Sequence, residues 1–252
     1  MVYSDSVSSL PRVLLIGAGG IGNPFVLTLA RAVRAGETSK FELTIVDDDR
    51  VELENLHRQV LFTDADIGSA KAVALARRAQ EIAPELETST ALERFLPDSA
   101  LGFASSATLI VDASDNFATR FLAADACFLA QRPLVSAASV RWVATVLASL
   151  PSGPCYRCLF EDLPEGPAPD CSTAGIVGPV CGVAGALAAE LALQLLAGQT
   201  PSHNLFSFDG RSDTLRARSF KPRTGCELCG SAASIRGLQA DRYAGQACGE
   251  YE

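Results

Sequence analysis

The back half of the chain holds two Cys-x-x-Cys pairs, Cys155 with Cys158 and Cys226 with Cys229. Paired thiolates at this spacing are typical of tetrahedral zinc, because each pair can bind one ion from a tight turn. Four sulfur ligands leave the metal no open position for a substrate, so the predicted zinc site is structural. Two local disulfides, a redox dithiol and a chance spacing remain as alternatives.

The front of the chain contains a glycine loop between an apolar strand and a helix. The strand RVLLI, residues 12–16, leads into GAGGIG. Gly17, Gly19 and Gly22 satisfy G-x-G-x-x-G, a spacing that lets backbone amides approach a phosphate at a helix N-terminus. The next apolar strand, FELTIVD, ends at Asp47, where a ribose-binding carboxylate is expected. This pattern predicts a Rossmann-type nucleotide-binding unit, for which NAD is the usual ligand.

The polar stretch that follows favours a triphosphate over a dinucleotide. DDDRVELENLHRQVLF carries Asp49, Asn55, Arg58 and Gln59, and Lys71 follows in DIGSAKA. Cations beside an anion-binding glycine loop suit the higher charge of a triphosphate. The alternative is that Arg58 and Lys71 are solvated surface charges. Because these polar residues alternate with apolar ones instead of forming a charge run, we favour the binding site.

A third strand, ATLIV, ends in DASDN and places Asp112, Asp115 and Asn116 beyond its carboxyl end. Open parallel sheets bind their ligands in this position. Mg²⁺ commonly takes one or two carboxylates plus phosphate oxygens, which fits Asp115. The alternative is helix capping, with Asp or Asn starting the helix NFATRFLAADACFLA. Capping by one residue is compatible with metal binding by another.

Composition indicates a soluble protein with a substantial core. The 252 residues are 48% hydrophobic and 20% charged, as expected for one large domain or a domain with a small appendix. A net charge of −8, without a basic run, argues against a nucleic-acid partner. The N-terminus lacks the pattern of a signal peptide, and the most apolar run is interrupted by Pro179 and Glu190. We therefore expect a cytoplasmic protein with no membrane partner.

Taken in order, GAGGIG, DDDRVELENLHRQ, GSAKA, VDASDN, CYRC and CELC resemble the ThiF/MoeB/HesA-type adenylyltransferases of the ubiquitin-activating enzyme superfamily. The resemblance covers roughly Arg12 to Gly230. It implies a Rossmann-like, doubly wound α/β fold with a mostly parallel sheet, C-terminal antiparallel strands and a four-cysteine zinc site. We expect one adenylyltransferase domain over residues 1–230, with a crossover loop at about 159–180. A tail of unassigned role would follow over 231–252.

Enzymes of this family use Mg-ATP to adenylate the C-terminal glycine carboxylate of a small ubiquitin-like, β-grasp protein, releasing pyrophosphate. The resemblance therefore implies an adenylyltransferase with ATP, Mg²⁺ and Zn²⁺ as cofactors. It also implies a sulfur-carrier or modifier protein ending in Gly-Gly as the partner, and a homodimer. Two alternatives stay open: a relative that activates another carboxylate, such as a peptide, an RNA-linked amino acid or a small acid, and a non-catalytic binding subunit.

The resemblance assigns a role to each matching position. The implied nucleotide-binding residues are Gly17, Gly19, Gly20, Gly22, Asp47, Asp49, Asn55, Arg58, Lys71, Asp115 and Asn116. Among them, Asp47 would hold the ribose, and Asp115 would bind Mg²⁺. Arg58 and Lys71 would stabilise the charge that develops as the α-phosphorus is attacked.

The other cysteines divide into two groups. Cys171 falls in a Pro/Gly-rich loop where some family members form a covalent sulfur link to the carrier and others do not need one, so a covalent catalytic role stays open. The adjacent Asp170 would oppose a lowered thiol pKa. Cys127 and Cys181 lie in helix-like apolar stretches and are predicted to be small buried hydrophobes.

Two features depart from the family pattern. Family members commonly begin with a helix whose arginine reaches the partner subunit's active site, whereas the first strand here starts near Arg12. We expect that arm to be missing or shortened. Either Arg12 or Arg50 substitutes for it locally, or the triphosphate is held less completely and the reaction is slower. The tail after Gly230 either is disordered or docks on the body through Leu238 and Tyr243.

Overall fold

The computed structural model describes residues 10–163, 175–231 and 233–243. The strands are β1 (Arg12–Ile16), β2 (Glu42–Val46), β3 (Glu87–Ala91), β4 (Leu109–Asp112), β5 (Leu134–Val140), β6 (Val143–Ser149), β7 (Leu205–Asp209) and β8 (Thr214–Arg218). The helices are α1 (Gly22–Ala35), α2 (Lys71–Ile82), α3 (Pro97–Ser106), α4 (Phe117–Leu129), α5 (Tyr156–Leu159) and α6 (Gly178–Leu196). Single 3₁₀ turns cover Leu53–Asn55, Asp64–Asp66 and Ala240–Tyr243.

The strands form one sheet in the order β3-β2-β1-β4-β5-β6-β7-β8. From β3 to β5 all neighbours are parallel, and from β5 to β8 all are antiparallel. The predicted fold class is therefore confirmed, including the C-terminal antiparallel strands.

Helices cover both faces of the parallel part, which explains its continuous apolar strands. Successive residues of a strand point to opposite faces. Val13 and Leu15 accordingly join the core beneath α1, α2 and α6. Leu14 and Ile16 join the core beneath α3 and α4. The strand sequence RVLLI is apolar at four consecutive positions because each face of β1 has its own core.

The crevice that can take a ligand follows from the strand order. The chain leaves β1 through α1 towards β2 on one side, whereas β4 lies on the other side of β1, so the connections diverge at the carboxyl ends of these strands. Gly17 sits at this point with φ +95°, and a Cβ there would come within 2.9 Å of the Ala113 carbonyl oxygen. A Cβ at Gly22 would collide with the Gly17 carbonyl. Both glycines are therefore required by the backbone itself.

The described part of the tail packs against the domain. Leu238 contacts the core beneath α4, and the Tyr243 hydroxyl donates to Oδ2 of Asp125 at 2.7 Å. The docking alternative therefore holds for this segment, while the domain boundary at residue 230 stays a prediction. The predictions for Cys127 and Cys181 are confirmed, since both are buried.

Helix α6 is long and apolar enough, by length and composition alone, to cross a membrane. It packs against α1, β5 and β6, and a core helix of a soluble protein passes the same test. It is the one such helix within the described residues, and weak evidence for a membrane span.

The connection between β2 and α2 is held by a buried carboxylate, that of Asp66. Its Oδ2 accepts from the Thr63 amide at 2.8 Å and from Arg78 at 3.0 Å, and Arg77 contacts the other oxygen. Burial raises the pKa of Asp66, but the hydrogen bonds from Thr63 and Arg78 outweigh it and lower the pKa to about 2. Asp66 thus anchors the turn that leads into Lys71.

Replacing Asp66 with Asn should lower the free energy of unfolding at pH 7 by about 1–3 kcal/mol, because Arg78 and the Thr63 amide lose a charged acceptor. Because folding lowers the pKa of Asp66, its carboxylate stabilises the folded protein fully above the ordinary Asp pKa of 3.8. This contribution is lost as the pH falls towards about 2. Denaturant unfolding of both proteins at pH 7 and pH 3 measures this difference, which should shrink at pH 3. Asp64→Asn, an exposed change in the same turn, is the control and should be nearly neutral; equal effects of the two changes would contradict the anchor.

Candidate active site and metal centre

An open cleft lies at the carboxyl ends of β1, β2 and β4. The predicted site residues that line it are Gly17, Gly19, Gly20, Asp47, Asp49, Arg58, Lys71 and Asp115. Gly22, Asn55 and Asn116 are not among the lining residues. Cys171 and the rest of residues 164–174 of the expected crossover loop lie outside the described residues.

Asp47 ties the glycine loop to the end of β2. Its Oδ2 accepts from the Ala18 amide at 2.7 Å, and its Oδ1 accepts from the Asp49 amide at 2.9 Å. Burial raises the pKa of Asp47, and the two amide hydrogen bonds together with Lys71 oppose that shift. The carboxylate therefore fixes the loop conformation while it faces the cleft.

The two predicted cations are each held by a polar side chain. Lys71 Nζ lies 2.7 Å from Oδ2 of Asp49, and Arg58 donates to Oδ1 of Asn55 at 2.6 Å. The Arg58 side chain also lies against Gly20, where a Cβ would approach it to 3.2 Å. Asp49 and Asn55 thus orient positive charge towards the glycine loop, and the interpretation of Arg58 and Lys71 as solvated surface charges is not supported.

Polar residues at the end of β4 and just after it have two kinds of environment. Asp112 and Asn116 make hydrogen bonds within the protein, whereas the Asp115 carboxylate is exposed. Asn116 caps α4, accepting from the Thr119 amide at 2.8 Å. Asp112 is fully buried and accepts from Ser114 and Ser136. The carboxylate of Asp115 is exposed, and within the described parts of the chain it accepts one hydrogen bond, from Asn116 at 3.5 Å. Asp115 therefore keeps oxygen ligands available for a cation at the mouth of the cleft.

The cleft lining also contains polar residues that the predicted site set lacks, among them Arg120 and Gln59. Arg120 is buried and donates to the Ser114 carbonyl at 2.6 Å. Gln59 is also buried, and its Oε1 has no hydrogen-bond partner within the described residues. The signal for Arg120 is its position four residues after the helix cap, since one helical turn returns a side chain to the same edge.

The expected substitutes for the N-terminal arginine are wrong. Arg12 begins β1 and pairs with Glu42, at the end of the sheet opposite the cleft. Arg50 donates to the Gly68 carbonyl and does not line the cleft either. A strand delivers ligands from its carboxyl end, so a residue at the start of β1 cannot serve this site.

The two Cys-x-x-Cys pairs meet in one cluster. The Cys155 Sγ lies 3.8, 3.5 and 3.4 Å from the Sγ atoms of Cys158, Cys226 and Cys229, and Cys158 lies 3.3 Å from Cys229. A tetrahedron of sulfurs with Zn–S bonds of about 2.3 Å has edges of about 3.8 Å. The donor set therefore fits zinc, and two separate disulfides would not need this convergence.

Burial makes it costly to ionise several thiols of the cluster without a cation. It raises the pKa of the Cys229 thiol to about 11, and neighbouring thiols contribute to the shift. The pKa of Cys226 is lowered, because hydrogen bonds from the amides of Cys229 and Leu228 outweigh its burial. A divalent cation reverses the cost of placing several thiolates together.

A model of the ThiF family matches residues 5–228. The chain belongs to the ThiF family. Among its relatives, the sulfur carrier protein ThiS adenylyltransferase of Escherichia coli K12 is 39% identical over 225 residues, or 88% of this chain and 86% of that protein. The SAMP-activating enzyme E1 of Haloferax volcanii is 36% identical over 222 residues, covering 87% of this chain and 80% of the relative.

Solved structures support the ThiF fold. E. coli MccB in complex with MccA-N7isoASN superimposes with a TM-score of 0.75 at 21% identity, covering 88% of this chain and 67% of that one. The chain also spans about half the length of longer relatives such as the adenylyltransferase and sulfurtransferase MOCS3 of Dictyostelium discoideum, at 35% identity. The resemblance to ThiF/MoeB-type adenylyltransferases is confirmed.

The purified protein should contain about one zinc ion per chain, measured by inductively coupled plasma mass spectrometry, because the four thiolates form a closed ligand set. Cys226→Ser should lose most of the metal and lower the melting temperature. Cys127→Ser changes another buried cysteine outside the cluster and should keep the zinc. A metal-free wild-type protein with four reactive thiols would contradict the assignment.

Proposed function

We propose that this chain is an ATP-dependent adenylyltransferase that activates the C-terminal glycine carboxylate of a ubiquitin-like sulfur-carrier protein. The observation that carries this function is the convergence of Arg58, Lys71 and Asp115 on a glycine-rich cleft at the switch point of the sheet. Relatives at 36–39% identity are named adenylyltransferases or activating enzymes for such carriers. The partner proposed here ends in Gly-Gly.

The chemistry needs positioned charge more than a base. In the proposed reaction an oxygen of the glycine carboxylate attacks the α-phosphorus of ATP. The bond from the α-phosphorus to the bridging oxygen breaks, and pyrophosphate leaves with the bond's electron pair. A carboxylate is ionised at pH 7, so the enzyme must align two anions and neutralise their repulsion.

The cations are placed for that task. Arg58 lies over Gly20, where backbone amides at the start of α1 face a phosphate. Lys71 reaches the cleft from the start of α2 and is oriented by Asp49. In this proposal Arg58 and Lys71 bind phosphate oxygens, while Asp49 and Asn55 position them.

The mouth of the cleft fits magnesium. Asp115 offers an exposed carboxylate, whereas the oxygens of Asp112 are already used by Ser114 and Ser136. A hydrated Mg²⁺ on Asp115 would neutralise the departing pyrophosphate.

His57 has no part in this reaction. Its Nδ1 lies 2.7 Å from the Glu54 carbonyl oxygen, and the side chain does not line the cleft.

We also propose that the protein is a cytoplasmic homodimer. The segment from Leu53 to Val73 runs beside the cleft and exposes four apolar side chains, those of Leu53, Val60, Ile67 and Val73. In this proposal these side chains contribute apolar area to the subunit interface. A second copy of the chain is the partner that family membership favours.

ATP–pyrophosphate exchange should require Mg²⁺ and a candidate carrier protein ending in Gly-Gly. Arg58→Ala and Asp115→Ala should each reduce the exchange rate by about 10²-fold or more, by analogy with the loss of one preorganised charge stabiliser. Arg31→Ala removes an exposed arginine of α1 outside the cleft and should leave the rate unchanged.

The outcomes of this assay separate the alternatives. Exchange that survives Asp115→Ala would contradict the magnesium assignment. Binding of ATP without exchange, for every Gly-Gly carrier tried, would favour another carboxylate substrate or a non-catalytic subunit.

Light scattering coupled to size-exclusion chromatography should give about twice the chain mass of 26.4 kDa. Leu53→Glu should shift the protein towards a monomer, because it places a charge on the proposed apolar interface. Leu101→Glu changes another exposed leucine, on α3, which is 43% exposed against 68% for Leu53, and should stay dimeric. A monomeric wild type would rule out the homodimer, and a dimeric Leu53→Glu would move the interface elsewhere.

A further inference from the structure

The two residues between the first pair of cluster cysteines face helix α4. Tyr156 and Arg157 form the start of α5, and both are buried, at 3% and 1% exposure. Arg157 donates from Nε and a terminal nitrogen to the two carboxylate oxygens of Asp125 on α4, at 2.8 and 2.9 Å. This two-point contact fixes both the distance and the orientation of the two elements.

Aromatic contacts strengthen the same junction. The Tyr156 ring meets Phe121 of α4 edge to face, with centroids 5.1 Å apart. The Arg157 guanidinium lies 4.7 Å from the centroid of the Phe121 ring. Tyr156 also forms a side-chain hydrogen bond with Arg120, which lines the cleft.

The N-terminal turn of α4 forms one wall of the nucleotide cleft. The helix begins directly after Asp115, with Asn116 as its cap. From the first turn Arg120 donates to the Ser114 carbonyl, next to Asp115, and itself lines the cleft. A shift of α4 would therefore displace Asp115 and Arg120 together.

A contribution to folding stability is a weak explanation for the buried ion pair between Arg157 and Asp125. Removing two charges from water is costly, and apolar residues of similar size often serve as well. The pair is nevertheless completed by a third group, since Tyr243 from the tail donates to Asp125. Two separate parts of the chain, α5 and the tail, thus converge on one carboxylate of α4.

We propose that Tyr156, Arg157 and Asp125 are positioning residues that fix α4 to the cysteine cluster. Through α4 they hold Asp115 and Arg120 at the phosphate end of the cleft. The proposal rests on the function proposed above in one respect, the binding of Mg-ATP in this cleft. The metal centre then has a second effect besides stability, because it sets the geometry of a site formed by other segments.

Asp125→Asn tests the link with little change in volume. The variant should retain its zinc and raise the dissociation constant for Mg-ATP by about tenfold, since small displacements of aligned groups are costly. The dissociation constant for AMP, which reaches less of the phosphate end, should change by less than about twofold. Calorimetric titration of both nucleotides gives the ratio.

Leu86→Ala is the matched control, because it removes a buried side chain from the core on the other face of the sheet. It should lower the melting temperature without changing the ratio of the two dissociation constants. An Asp125→Asn protein that binds Mg-ATP as the wild type does would overturn the proposal, as would an equal loss for both nucleotides.

Hydrogen–deuterium exchange on the wild-type chain provides a test that needs no variant. Stripping zinc with a mercurial reagent and a chelator should speed exchange in residues 114–125, while α1 and β1 stay protected. Unchanged exchange in residues 114–125, or equal loss of protection throughout the chain, would overturn the proposal. If the wild type binds no nucleotide, the proposed function fails, and this exchange measurement still decides the link.

Discussion

The candidate site depends on the parallel pairing of β1 and β4, whose chain connections leave in opposite directions. That divergence opens a crevice at the carboxyl ends of the strands. The glycine loop after β1 must pass close to the residues that follow β4. Gly17 lies within van der Waals reach of Ala113, the residue after β4, so a side chain there would separate the strands. The glycine loop is thus a requirement of packing before it is one of ligand binding. Phosphate recognition uses amides that the strand pairing has already brought to this position.

Charge in the cleft is arranged for orientation more than for stability. The Asp49 side chain is 64% exposed, so its ion pair with the buried Lys71 contributes little to the folding free energy. The same pair determines where the ammonium group lies before a ligand arrives. Arg58 is held similarly by Asn55, a neutral side chain that does not compete for its charge. A triphosphate can therefore bind cations whose positions are already set, which lowers the reorganisation needed during reaction.

Sequence reasoning succeeded where the signal is local or carried by family motifs. Apolar runs ending in Gly or Asp located β1, β2 and β4 but not β3 or β5, and motif order placed Arg58, Lys71 and Asp115 beside one cleft. Sequence reasoning failed where a residue's role depends on contacts between elements that are distant in the chain. Arg12 was a poor substitute because it begins its strand, at the wrong end of the sheet. Asp125 received no role, since its partners lie 32 and 118 residues away. Periodicity marks such a carboxylate as part of a helix but does not show what it meets.

The cysteine cluster brings together two segments that flank the antiparallel part of the sheet. Cys155 follows β6 and Cys226 follows β8, and their sulfurs meet although 71 residues separate them. A metal ion held by the four sulfurs would close this long segment at both ends and remove conformational entropy from the unfolded chain, as a disulfide does. The segment between the cysteine pairs includes β7, β8 and α6, and α6 packs against α1 directly behind the glycine loop. Such a cross-link would restrain elements on both faces of the sheet, α6 on one and α4 on the other. In the proposal made above, a metal centre that performs no chemistry would therefore still determine how accurately the cleft is built.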